Sequence, residues 1–150
     1  MSLKLEFKRM RPQEDQDLPI PARQTAGAAG LDLSAGVAEP LTLAPGQIAL
    51  VPTGWAVAIP EGHEGQIRPR SGLALKKGLT LVNTPGTIDS DYRGEIQLPM
   101  INLGSEPVTI RRGERVAQMI IAKVECPEIE LVEELTETRR GSGGFGSTSV

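Results

Sequence analysis

Apolar and polar residues alternate with a period of two along most of this chain. In "LKLEF", Leu3, Leu5 and Phe7 fall on one face and Lys4 and Glu6 on the other, which is the spacing of a half-buried strand. Short strand-like runs recur: "GLDLSA", "LTL", "QIALV", "WAVAI", "GQIRP", "LTLV", "GEIQLPMINL", "VTI", "RVAQMIIAKV" and "IELV". Turn signals such as "APGQ", "PEGHEG", "TPG" and "RRGE" separate them, and each supplies a residue that favours a chain reversal. Many short, evenly spaced strands predict an all-β sandwich or barrel. One segment departs from the alternation. "SGLALKKG" reads as a single short helix, with Ser71 as N-cap and Gly78 as the stop. The pattern ends near Thr136. Residues 1–135 are expected to form the β domain, and 136–150 a flexible Gly/Ser-rich tail.

Composition sharpens this picture. At 150 residues, one domain with a real core is the default. Aromatic residues make up only 3% of the chain, so the core must be aliphatic. The 17 glycines and 12 prolines are about a fifth of the residues, below the level of low-complexity chains, and agree with a turn-rich fold. A net charge of −3 gives no electrostatic footprint for nucleic acid or an anionic membrane. No run has the ~20 apolar residues of a membrane span, and "MSLKLEFKRM" lacks the apolar stretch of a signal peptide. Cys126 is the one cysteine and His63 the one histidine. That excludes an intrachain disulfide and a multi-histidine or cysteine-rich zinc site. Cys126 reads as a small buried hydrophobe and His63 as a turn residue. A soluble cytoplasmic protein is expected.

Three stretches and the tail carry candidate chemistry. In "AGLDLSA", Asp32 lies between Leu31 and Leu33 and projects to the opposite strand face. A solvent-facing carboxylate accounts for it when it is taken alone. In "RPRSGLA", an Arg–Ser–Gly step enters the helix. Backbone N–H groups there and the Arg70 guanidinium favour an anion, although an ordinary capped helix fits equally well. In "NTPGTIDSDYRGE", Asp89, Asp91 and Tyr92 crowd a turn-rich segment. Turn chemistry explains one acid, but not an acid beside Ile88 followed by the chain's one tyrosine. In the tail, "RRGSGGFGSTSV" places Phe145 among glycine and serine, where no core can form. Arginine and serine for phosphates, carboxylates for a metal and for water, and a ring to stack on a base together suggest a nucleotide site.

These residues resemble the motifs of the trimeric deoxyuridine triphosphate nucleotidohydrolases, the dUTPases. Five occur in order: "AGLDLSA" (29–35), "PRSGLA" (69–74), "GTIDSDYRGE" (86–95), "RVAQ" (115–118) and "RRGSGGFGST" (139–148). They span about four-fifths of the chain, and five motifs in this order are far more specific than one. Ser149 departs from the glycine usual in the family, beyond the phenylalanine.

The resemblance implies a jelly-roll-like β-barrel and a homotrimer with shared active sites. It also implies Mg²⁺-assisted hydrolysis of dUTP to dUMP and pyrophosphate, limiting uracil in DNA and supplying dUMP for thymidylate. By the same resemblance, Asp89 is the general base for the attacking water, and Asp32 holds the metal through coordinated water. Arg70, Ser71, Gly72 and Gln118 grip phosphates. Asn83 reads the uracil edge, Gln97 belongs to the same substrate-binding set, and Tyr92 packs on the deoxyribose and leaves no room for a 2′-hydroxyl. Arg140 binds the γ-phosphate end, and Phe145 covers the uracil.

Two rivals remain. The dCTP deaminases share the fold, but their catalytic glutamate follows the third motif by a few residues. Here "EIQLPM" follows Gly94 with no later acid. A nucleotide-binding sensor without catalysis would dispense most cheaply with Asp89, and Asp89 is present.

Overall fold

The computed structural model describes residues 3–147; Met1, Ser2, Thr148, Ser149 and Val150 lie outside them. Eleven strands and one helix follow in order. These are β1 (Glu6–Arg9), β2 (Leu31–Ser34), β3 (Leu41–Leu43), β4 (Ile48–Pro52), β5 (Trp55–Ala58), β6 (His63–Pro69), α1 (Ser71–Lys77), β7 (Leu79–Leu81), β8 (Gly86–Ile88), β9 (Gln97–Asn102), β10 (Val108–Ile110) and β11 (Arg115–Lys123). They pair antiparallel into four small sheets with the orders β1-β5, β10-β3, β2-β11-β6-β8 and β4-β9-β7. The arrangement is all-β and jelly-roll-like, and among the described residues no closed barrel forms.

Alternation places one face of each strand in a common core. Leu33, Leu43, Val51, Leu79, Ile96, Leu98, Met100, Ile110, Val116 and Met119 are fully buried. Each such side chain contributes roughly 1.5–3 kcal/mol of transfer free energy. The core is aliphatic, as the composition requires. Trp55 is the buried aromatic exception. Its indole N–H donates to Pro19 O (3.1 Å), Phe7 meets it edge-on, and the Arg9 guanidinium lies 4.3 Å from its ring centre, a cation–π contact. Buried Asn102 donates to Leu43 O (3.0 Å) and Glu106 O (2.8 Å) and accepts from Gly104 N (2.8 Å). Satisfying the whole amide removes most of the cost of burying it.

The helix occupies its expected place, but its cap differs. Ser71 is the first helical residue, and extended Arg70 (φ −92°, ψ 128°) is the N-cap, with no side-chain cap bond. Pairing of Pro69 with Ala117 keeps the chain extended to the edge of the helix, so only Arg70 remains for the change of conformation. Arg70 also points its guanidinium elsewhere, to Arg115 O (2.9 Å). Gly78 (φ 66°) is the left-handed stop and donates to Leu73 O and Ala74 O.

Other differences share one cause, the availability of a strand partner. "LKLEF" begins its strand only at Glu6, where β5 offers Ala58. "IELV" forms no strand: no described residue pairs with it, and Ile129 and Leu131 are almost fully exposed. Regular structure stops at Lys123. Cys126 is exposed rather than buried, because it lies beyond that last strand. His63 opens β6 instead of sitting in the turn, paired with Lys123. Among the described residues, no helix is long and apolar enough to cross a membrane.

Candidate active site

The central sheet positions most of the candidate residues. Strand β11 lies between β2 and β6, so Gln118 stands opposite Asp32 on one side and Arg68 on the other. The last residue of β6 leads through Arg70 into α1. These connections gather Asp32, Arg70, Ser71, Gly72 and Gln118 around a cavity of about 330 Å³, together with Arg115 and Gly30. Arg115 Nη1 donates to Asp32 Oδ2 (3.0 Å), and Arg70 Nε lies 3.9 Å from Asp32 Oδ1. Asp32 is thus no isolated surface carboxylate. It is partly buried and holds two guanidinium groups at the cavity wall.

Of the two glycines lining this cavity, one marks a place of close approach. A side chain on Gly30 would collide with the Gln118 carboxamide. Gln118 rests there with its Nε2 donating to Pro69 O (3.1 Å). A Cβ on Gly72 would meet nothing within 4 Å, so packing inside this chain does not demand glycine there.

The donor set tests whether a divalent cation fits. Among the described residues no three His, Cys, Asp or Glu side chains converge as metal ligands, and Asp32 is the one carboxylate lining this cavity. A resident, protein-caged metal does not fit. A hard cation that keeps its waters, takes one carboxylate and brings phosphate oxygens as further ligands does fit.

A second cavity of about 360 Å³ lies beside β8 and β9 and includes Asn83, Gly86, Asp89, Tyr92, Glu95 and Gln97 in its wall. Gly86–Ile88, read from sequence as part of a turn region, forms strand β8 against Gly65–Ile67. That pairing delivers Asp89 at the strand's end, where the chain turns with Tyr92 N donating to Asp89 O (3.1 Å). Among the described residues, no side chain donates to the Asp89 carboxylate, which is exposed. The Tyr92 hydroxyl donates to Glu95 O (3.0 Å).

The structure therefore sorts the candidates into two groups that share no lining residue. Basic and hydrogen-bonding groups line one cavity. Asn83, Asp89, Tyr92 and Gln97 line the other. Arg140 and Phe145 join neither. Arg140 Nε donates to Gly143 O (2.8 Å) within the tail, and Phe145 is fully exposed at φ 48°. Thr148, the end of the fifth motif, and Ser149 lie outside the described residues.

Sequence reasoning gave no role to Arg115 or Glu95. Arg115 opens "RVAQ", three residues before Gln118, and strand pairing was the missing information. Glu95 is gripped by Arg11, whose guanidinium donates to both carboxylate oxygens (2.9 and 3.1 Å). Burial pushes the Glu95 carboxyl up. Arg11, the Gly54 N–H and Gln97 outweigh it and hold the group below the usual carboxylate range.

Comparison with known proteins identifies the family and the fold. A family model described as dUTPase matches residues 16–149. A deoxyuridine 5′-triphosphate nucleotidohydrolase of Caldanaerobacter subterraneus subsp. tengcongensis is 56% identical over all of both chains. One from Thermoanaerobacter sp. (strain X514) is 55% identical, also over both full lengths. Among solved structures, the dUTPase of Staphylococcus bacteriophage 80alpha with dUPNHPP superposes with a TM-score of 0.86 at 28% identity, covering 99% of this chain and 100% of its own. A mutant dUTPase from phage phi11 of S. aureus, whose structure concerns coordination of a structural Mg(II) ion, gives 0.76 at 26% identity, covering 87% and 97%.

Proposed function

The chain belongs to the dUTPase family and hydrolyses dUTP to dUMP, and from that premise we propose how its residues share the work. The cavity of Asn83, Asp89, Tyr92 and Gln97 takes the deoxyuridine. The cavity of Arg70, Ser71, Gly72 and Gln118 takes phosphates. Because the two share no wall in one chain, the working site is completed by neighbouring copies in a homotrimer. Exposed Ile129, Leu131 and Leu135 supply an apolar arm for such an assembly.

Asp89 accepts a proton from a water as the water oxygen bonds to the α-phosphorus. The bond from that phosphorus to the α–β bridging oxygen breaks, and pyrophosphate leaves. A carboxylate without an internal donor is suited to this task, because no existing bond must be broken before it takes the proton. Arg70 and Gln118 hold the phosphates in line, and positioning with charge stabilisation is most of what phosphoryl transfer requires. Mg²⁺, held by Asp32 through water, would neutralise the triphosphate and stabilise the leaving pyrophosphate. Tyr92 lies under the sugar and excludes a 2′-hydroxyl, and Asn83 with Gln97 reads the base. Arg140 reaches the γ-phosphate, and Phe145 covers the uracil. An exposed ring on a glycine-rich tail finds its apolar partner in the substrate.

The observation that carries this reading is the placement of unpartnered Asp89 in the same wall as Asn83, Tyr92 and Gln97. The enzyme would act in the cytoplasm, keeping uracil out of DNA and supplying dUMP for thymidylate. Pyrophosphate release from dUTP, dCTP, dTTP and UTP, with and without Mg²⁺, tests it. We expect dUTP to be cleaved far faster than the others, since a polar site left unpaired by the wrong base loses several kcal/mol. Equal kcat/KM for dUTP and dCTP would overturn the base assignment. Turnover unaffected by chelation would overturn the metal.

A further inference from the structure

Two carboxylates line the nucleoside cavity, and their surroundings differ. Among the described residues Asp89 has no side-chain donor, whereas Glu95 is enclosed, its side chain 11% exposed. The Arg11 guanidinium forks onto it, Nη2 to Oε1 (2.9 Å) and Nη1 to Oε2 (3.1 Å), and Gly54 N donates to Oε1 (2.7 Å). Such a two-point pair fixes orientation as well as charge. The backbone carbonyl of the same Glu95 accepts from the Tyr92 hydroxyl (3.0 Å). A side chain on Gly94 would collide with the Tyr92 ring and hydroxyl, so that ring lies against bare backbone. Tyr92 is otherwise half open, 43% exposed. Its hydroxyl end is therefore located by where Glu95 sits, and Glu95 is located by Arg11. Arg11 is anchored in turn: its Nε lies 3.1 Å from Oδ2 of buried Asp15, which Arg112 Nη2 approaches at 3.1 Å from the other side.

We propose that Arg11 and Glu95 are positioning residues that hold Tyr92 in place and thereby set the discrimination between deoxyribose and ribose. The proposal rests on the reading of Tyr92 as the sugar platform. Neither side chain need touch the nucleotide. The pair transmits order from the N-terminal segment to the ring. Its charge is internally cancelled, so the cavity keeps Asp89 as its one uncompensated carboxylate.

The test is the ratio of kcat/KM for dUTP to that for UTP in the full-length enzyme. Displacing a positioned group by about 1 Å can cost on the order of 100-fold. Arg11→Ala and Glu95→Ala are therefore expected to lower the ratio at least ~10-fold, with the Arg11→Ala/Glu95→Ala enzyme no worse than the poorer single variant. Glu95→Gln keeps the side-chain length and the Gly54 contact but loses the ionic fork. It supplies the measurement if the alanine variants do not fold, and it too is expected to lower the ratio. Tyr92→Ala is the control. If Tyr92→Ala lowers the ratio while Arg11→Ala and Glu95→Gln leave it within twofold of the parent, the pair is only structural and the proposal is wrong. If Tyr92→Ala itself leaves the ratio unchanged, the sugar-platform reading fails, and the proposal with it.

Discussion

Gln118 on β11 stands directly opposite Asp32 on β2, and the backbone at Gly30 approaches that carboxamide so closely that no side chain fits between them. The cavity of Asp32, Arg70 and Gln118 thus depends on the lack of a side chain on one residue, two positions before its carboxylate.

Replacing that glycine should act on function before stability. Gly30→Ala forces Gln118 out of its bond to Pro69 O, and the flexible amide can yield towards the cavity. We expect kcat/KM for dUTP to fall roughly tenfold, in line with the cost of misplacing a substrate-positioning group, with a thermal midpoint within a few degrees of the parent. Steady-state kinetics alongside a melting curve checks both. A collapsed midpoint with normal kinetics at low temperature would assign Gly30 to packing alone.

Asp89→Asn preserves shape at the end of β8 and removes the basic oxygen. The prediction is a kcat at least ~10² lower, with KM within a few-fold. Because Asp89 is exposed and, among the described residues, bonds no other side chain, the melting temperature should not move. A kcat within a few-fold of the parent would remove Asp89 from the role of base.

Glu95 makes a pH prediction. Its carboxyl is held below its ordinary value of 4.5. The folded state therefore binds this proton less readily than the unfolded chain does. The stabilisation is fully present above about pH 4.5 and is lost as pH falls through the lower, folded-state value. Denaturant titrations of the parent and Glu95→Gln should show the parent losing more stability below pH 4.5 than the variant. Parallel curves across that window would mean that Glu95 is not linked to folding.

The tail prediction joins chemistry to assembly. Among the described residues, Phe145 contacts no core, and Arg140 bonds only within its own turn. Asp89→Asn with an intact tail should be nearly inactive, and so should a chain keeping Asp89 but ending before Arg139. Co-expressed in equal amounts, they would mix in closed three-fold rings if the proposed homotrimer forms. If the tail closes over a neighbour's Asp89, random mixing leaves roughly a quarter of sites complete. Activity near that fraction in the whole co-expressed mixture, with mixed trimers confirmed to be present, supports a tail acting in trans. Only the summed residual activities would mean that each tail serves its own chain.

How much was legible beforehand varied with the range of the interaction. The alternation of Leu31, Asp32 and Leu33 already stated which face is apolar, because the side-chain period of a strand is a local property. The helix from Ser71 and its stop at Gly78 were legible for the same reason. The cap was not, since Arg70 answers to Arg115, 45 residues away. "IELV" had the composition of a strand but no edge to pair with, and composition does not report the presence of an edge.

By itself the sequence determined an aliphatic all-β chain with one short helix, and the five motifs that name its family and its chemical groups. Only the tertiary structure decided which of those groups meet. It put Asp32 between Arg70 and Arg115, placed Asp89 in a wall apart from Arg70, Ser71 and Gln118, and joined Arg11 to Glu95 across 84 residues. The physical reason is that burial periodicity is encoded residue by residue, whereas an ion pair between distant segments exists only after strand pairing and core packing have fixed both backbones.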